Sequence, residues 1–199
     1  MAGPTLRYLL ALPDSPAPIS ESVLVLIDCQ QTYREGIMRL EGVEPALHEA
    51  AALLKRFRAE GRPVIHIMHD AGPDSPFDVN APIGQIAKEV APIEGETVIV
   101  KNLPSSFEGT TLDDELKRLG AKNVVYVGFM THMCVNSTAR ASFNHGFATT
   151  VVASATATRD LPEGWSGKVV PAAEMQEASL SALADLFAVV VPDSSALKD

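Results

Sequence analysis

The chain has 199 residues, 46% of them hydrophobic and 21% charged, with a formal net charge of −9. That length suits one domain with a real core, and the composition excludes disorder. An acidic chain without a Lys/Arg cluster excludes nucleic acid and an anionic membrane as main partners, and no apolar run approaches the length of a bilayer span.

Residues 1–20 carry Arg7, a brief apolar patch around Leu9 and Leu10, and then Pro13, Pro16 and Pro18. The patch is too short for a signal-peptide core. It reads as an extended arm whose leucines pack on the body or on a neighbouring subunit. Residues 21–199 form the single domain. Ser22 to Asp28 (SVLVLID) is a β-rich run of the kind buried on both faces of a sheet. Glu44 to Glu60 places Leu47, Ala50, Ala51, Leu54 and Phe57 at a helical period, and Gly61 stops it. Pro63 to His69 is a second strand. The Gly-, Pro- and Asp-rich segment 71–82 is a loop. Thr97 to Val100 is a third strand, and Thr110 or Thr111 caps a helix that runs to Leu119. Asn123 to Val127 is a fourth strand, followed by a helix from Met133 to His145. Ala148 to Ala153 is a fifth strand. Segment 157–168 is polar loop carrying the sole tryptophan, Trp165. A helix from Ala172 to Leu186 and a strand from Ala188 to Val191 close the chain.

Alternating strands and helices specify the α/β class with a parallel sheet. Right-handed crossovers then give a Rossmann-like, doubly wound three-layer α-β-α sandwich around a six-stranded, mainly parallel sheet. Ligands bind such sheets beyond the carboxyl ends of the strands, where the strand order reverses. For the usual order that point lies between the first and fourth strands. Asp28 and Cys134 then face each other across the crevice.

Cys134 begins a helix. The unpaired N–H groups there favour thiolate, the nucleophilic form, and can cradle an oxyanion. The competing reading is a small apolar residue packing helix against sheet. Asp28 is a candidate base for the thiol proton, or a turn former. Lys101 leaves the third strand near the same crevice, where it either escapes to water or stabilises both ionised groups. His66 and His69 stand three apart on one strand, so they point to opposite faces and cannot readily share a metal. His66 reads as a core residue, and His69 as a candidate substrate contact. His132 diverges from Cys134 on a helix, which argues against a local dyad. Cys29 and Cys134 have no zinc-ligand spacing. No nucleotide-binding glycine motif is present.

Three segments agree in order and strand position: LIDCQQTY with Asp28, VIVKNLPSSFEGT with Lys101, and GFMTHMCVNSTARASF with Cys134. Together they resemble the isochorismatase-like cysteine hydrolases, which include nicotinamidases, N-carbamoylsarcosine amidohydrolase and ureidoacrylate hydrolases. The resemblance spans about residues 22–191. It implies Cys134 as nucleophile, Asp28 as general base and then acid, and Lys101 as electrostatic partner. It implies a cis peptide at Phe129–Met130, and an oxyanion hole from the backbone N–H groups of Met130 and Cys134. Phe107 resembles the family's aromatic pocket residue. Gln30, Tyr33, His69 and Thr131 are the other expected substrate-binding residues. The expected reaction is C–N hydrolysis of a small amide, ureido or carbamoyl substrate through a Cys134 thioester.

HIMHDAG departs from the Asp-x-His metal motif of nicotinamidases, so no metal and no cofactor are expected, and a nicotinamidase-type activity is an alternative. True isochorismatases cleave an enol ether and lack the nucleophilic cysteine, which disfavours that reaction. A silent binding or assembly protein on the same fold is a further alternative. The expected partners are a small-molecule substrate and further copies of the chain, a homo-oligomer. With two thiols and no leader, a cytoplasmic location is expected.

Overall fold

The alternating pattern becomes one sheet with helices on both faces in the computed structural model, which describes residues 3–199. Met1 and Ala2, the start of the expected arm, lie outside the described residues. In chain order the elements are α1 (Leu6–Leu9), β1 (Ser22–Ile27), α2 (Val43–Ala59), β2 (Val64–His69) and β3 (Thr97–Lys101). Then come α3 (Leu112–Arg118), β4 (Asn123–Phe129), α4 (Asn136–Asn144) and β5 (Ala148–Ala157). The chain ends with β6 (Leu161–Pro162), β7 (Val169–Val170), α5 (Ala172–Ala184) and β8 (Val189–Val191).

Six strands form the sheet in the order β3-β2-β1-β4-β5-β8, and every neighbouring pair is parallel. Successive side chains of a strand face opposite sides. Leu24 and Leu26 of β1 join one core with α2, whereas Val23, Val25 and Ile27 join the other with α3, α4 and α5. Burial on both faces is why β1 reads as an unbroken apolar run. Leu47, Leu53, Leu54 and Phe57 of α2 are at most 1% exposed, each contributing about 1.5–3 kcal/mol of transfer free energy. The order reverses between β1 and β4, so the topological switch point falls where the strand pattern placed it.

Four expectations need correction. The arm is not wholly extended: Thr5 caps the single turn α1, whose Leu6 N–H donates to Asp185 Oδ1. Its Leu6, Leu9 and Leu10 are exposed, which leaves the neighbouring subunit as their expected packing partner. β5 does not end near Ala153 but runs to Ala157 across a bulge, where the partly exposed Ala153 and Ser154 interrupt the apolar pattern. The supposed polar loop 157–168 contains β6, which pairs antiparallel with β7. The fourth helix does not start at Met133; a wide turn over Thr131–Val135 precedes α4. Among the described residues no helix is long and apolar enough to cross a membrane.

Gly128 sits at the switch point with φ +113°, and a Cβ there would stand 2.0 Å from the Ile27 carbonyl oxygen. The two strands that carry Asp28 and Cys134 can meet only because that atom is missing. Gly128→Ala is expected to destabilise the fold by about 3–5 kcal/mol. Urea unfolding checks this, and a loss below about 1 kcal/mol contradicts the close approach.

Candidate active site

Asp28 is the first residue past β1. Its N–H donates to Ile67 O at 3.0 Å, and its own carbonyl accepts from Gln30 N–H at 2.7 Å. This tight turn holds Asp28 at φ +49°, a left-handed conformation that costs a non-glycine residue about 1–3 kcal/mol. The turn leaves the carboxylate fully buried over the sheet end.

Lys101 closes β3 and is 1% exposed. Its Nζ lies 2.8 Å from Asp28 Oδ2, donates to Cys134 Sγ at 3.4 Å, and donates to His69 Nδ1 at 3.2 Å. An ammonium has donors and no acceptor, so His69 Nδ1 is the accepting nitrogen. Asp28 receives no aligned hydrogen bond on either oxygen among the described residues. The contact with Lys101 is therefore an ion pair that leaves lone pairs open to an incoming proton. Asp28, Lys101 and Cys134 thus converge from the ends of β1, β3 and β4.

Cys134 is 5% exposed. It lies in the wide turn in which Val135 N–H donates to Met130 O at 3.2 Å. The preceding Phe129–Met130 peptide is cis. Met130 N–H has no backbone acceptor among the described residues, and the hydroxyl of fully buried Thr131 is unpartnered. Burial pushes the Cys134 thiol up to about 12, and the Asp28 carboxylate adds to the rise; Lys101 opposes it. The resting group is a thiol, not the thiolate that a helix N-terminus alone favours. Burial also raises Asp28, against the charge of Lys101, which makes its carboxylate a stronger base.

The remaining expected residues divide. His69 reaches the cluster. The Gln30 amide is occupied by backbone: it accepts from His69 N–H at 2.9 Å and donates to His69 O at 3.0 Å and Gly84 O at 2.6 Å. Gly84 itself must lack a side chain, because a Cβ would stand 2.1 Å from Asp78 O. Tyr33 is 1% exposed and packs edge-on against Phe77 and Phe129. Burial raises its hydroxyl, and the Asp28 charge adds to the rise. Phe107 stacks on His145, 4.7 Å away, past the end of α4. Eleven residues of helical rise separate His145 from Cys134, about 16 Å. His66 binds Glu96 at 2.8 Å, and His132 binds Thr158 at 2.6 Å. Among the described residues no three His, Cys, Asp or Glu side chains are grouped to hold a metal.

One residue escaped the sequence reading. Arg159 follows β5, and its buried Nε has no partner. With Arg39 it lines a 630 Å³ cavity, beside Glu41, Glu44 and Asp160. Glu44 is committed to Arg34 at 2.7 Å, and Asp160 Oδ1 accepts from Ala172 N–H. Neither Arg39 nor Arg159 forms an ion pair among the described residues. The available signal was an arginine at the mouth end of a Thr- and Ala-rich strand, hidden by ending that strand too early.

Residues 22–194 match the family model described as the isochorismatase domain. A secreted isochorismatase effector of Verticillium dahliae is 35% identical, over 93% of this chain and 95% of its own length. A ureidoacrylate amidohydrolase of Stutzerimonas stutzeri is 28% identical, over 73% of this chain and 75% of its own. The crystal structure of an isochorismatase from Pseudomonas putida KT2440 superposes with a TM-score of 0.93 at 36% identity, covering 98% of this chain and 99% of that one.

Because the Asp28 charge raises the Cys134 thiol, Asp28→Asn should make Cys134 more reactive toward iodoacetamide. The expected gain at pH 8 is about tenfold, one unit of pKa. Mass spectrometry of the labelled peptide reads the rate, and a variant no faster than wild type contradicts the charge coupling.

Proposed function

The chain belongs to the isochorismatase family and is a hydrolase of it; on that premise we propose that it is a metal-independent cysteine amidohydrolase, cleaving a C–N bond in a small ureido, carbamoyl or amide compound. The observation that carries this reading is one ammonium touching both partners: Lys101 Nζ stands 2.8 Å from Asp28 Oδ2 and 3.4 Å from Cys134 Sγ. As Sγ attacks the carbonyl carbon, its proton passes to Asp28 and Lys101 stabilises the departing charge on sulfur. The carbonyl oxygen becomes an oxyanion facing the Met130 and Cys134 N–H groups. Asp28 then gives its proton to the leaving nitrogen, the C–N bond breaks, and ammonia or an amine departs. Water attacks the thioester and gives a proton to Asp28. The C–S bond breaks and the proton returns to sulfur.

The unpaired guanidinium of Arg159, with Arg39, supports a substrate that carries a carboxylate. The Stutzerimonas stutzeri relative, named for ureidoacrylate, supports the ureido class. A second reading, enol-ether cleavage of isochorismate, is favoured by the Verticillium dahliae relative's name.

Ammonia release from ureido acids, N-carbamoyl amino acids and primary amides, beside pyruvate release from isochorismate, separates the readings. We expect ammonia from a carboxylate-bearing ureido or carbamoyl compound, and Cys134→Ala to lower that rate at least about 10³-fold with its circular dichroism unchanged. Pyruvate without ammonia, or turnover surviving in Cys134→Ala, overturns the proposal. Arg159→Gln should raise KM about 10–100-fold with little change in kcat. An unchanged KM refutes the carboxylate contact.

A further inference from the structure

Lys101 starts from the wrong side of the sheet. The order β3-β2-β1-β4 puts β2 between the lysine and both of its catalytic partners. Strands lie about 4.8 Å apart, so the ammonium must travel about two strand spacings to reach β1. A lysine side chain covers most of that distance only when stretched in one direction. The residue on its path is set by register: His69, the last residue of β2, pairs with Lys101. In a parallel ladder paired residues share a face, and the Lys101 ammonium meets the imidazole at Nδ1, 3.2 Å away.

We propose that His69 is a positioning residue for the catalytic lysine: its Nδ1 accepts one Lys101 proton, which turns a second toward Cys134 and holds the ammonium against the Asp28 carboxylate. This rests on the amidohydrolase reading, in which Lys101 and Cys134 act together. The contacts of the ammonium support it: two of its donors go to Cys134 Sγ and His69 Nδ1, while Asp28 Oδ2 stands 2.8 Å away as an ion pair.

His69 is itself held from two sides. Its backbone N–H and C=O are both taken by the Gln30 side chain, at 2.9 and 3.0 Å. Its ring meets Phe77 edge-on, with centroids 5.1 Å apart. A clamp on both backbone groups and one ring edge fixes where Nδ1 points. The groups acting on its charge are Lys101, Asp28 and Asp70. Burial, reinforced by Lys101, keeps the imidazole neutral against the two carboxylates, so the accepting lone pair is present at neutral pH. The resulting chain, Gln30 to His69 to Lys101, gives two side chains without nucleophilic chemistry a part in the reaction.

The test labels Cys134 with iodoacetamide at pH 9 in wild type, His69→Leu and His69→Asn, following the Cys134 peptide by mass spectrometry. This reagent needs no substrate pocket, so the result stands even if every amide fails in the ammonia assay. A histidine that merely contacts substrate leaves labelling untouched. A positioning histidine leaves Lys101 misplaced when lost, and thiolate at Cys134 less stabilised. We expect His69→Leu to label about tenfold more slowly, and His69→Asn, which restores an acceptor, to lie within about twofold of wild type. Equal rates in all three proteins overturn the proposal, as does an asparagine variant as slow as the leucine one. If His69→Leu does not fold, the ¹⁵N shifts of His69 in the wild-type protein decide. A bare Nδ1 with a protonated Nε2 supports the assignment, and a protonated Nδ1 overturns it.

Discussion

A single buried ammonium organises the crevice. Moving such an ion out of water costs several kcal/mol even after relaxation, so Lys101 is tolerable at 1% exposure only with its charge answered nearby. Asp28 answers it from 2.8 Å. The left-handed turn at Asp28, the reversal of strand order between β1 and β4, and the widened turn before α4 all deliver groups to that cation. Each is a local departure from regular strand or helix, and each is needed because three strand ends must meet at a point.

The same burial decides the state of the nucleophile. A helix N-terminus is worth about 0.3–1 kcal/mol to an adjacent anion, and up to about 2 in favourable partly buried settings. Burial, with the Asp28 charge, pushes the Cys134 thiol the opposite way, up to about 12, with Lys101 opposing. Burial therefore favours the proton on sulfur at rest. A protected thiol of this kind resists stray electrophiles and oxidants, because both react with thiolate.

Much of this was legible from residues alone. The unbroken apolar runs of β1 and β4 announced a parallel sheet, and parallel topology announced the switch point. Asp28, Lys101 and Cys134 were singled out because each lies at or beyond a strand end that the pattern placed to within two residues, in segments that resemble the family's. What escaped depended on the third dimension. Gln30 was expected to bind substrate, but its amide holds the backbone of His69. Phe107 follows the expected motif, yet its ring goes to the far end of α4, a direction that a motif does not encode. Arg159 was lost for a plainer reason: the bulge at Ala153 and Ser154 breaks the period-two signal, and β5 was ended before it reached the crevice.

That bulge decides how the end of β5 is placed. Between the pairs Tyr126–Val151 and Gly128–Thr156, β4 advances two residues and β5 advances five. The surplus is taken up locally, and pairing resumes beyond it. The strand end is therefore an adjustable pointer: its length can change without disturbing the sheet that holds Asp28 and Cys134. Side chains alternate faces with each residue, so the face that Arg159 takes is fixed by the pairs Gly128–Thr156 and Phe129–Ala157 just before it, not by the number of residues in segment 152–155. The end of β5 and the paired stretches of β1 and β4 are thereby separate pieces of chain, and one can vary in length while the other keeps its register.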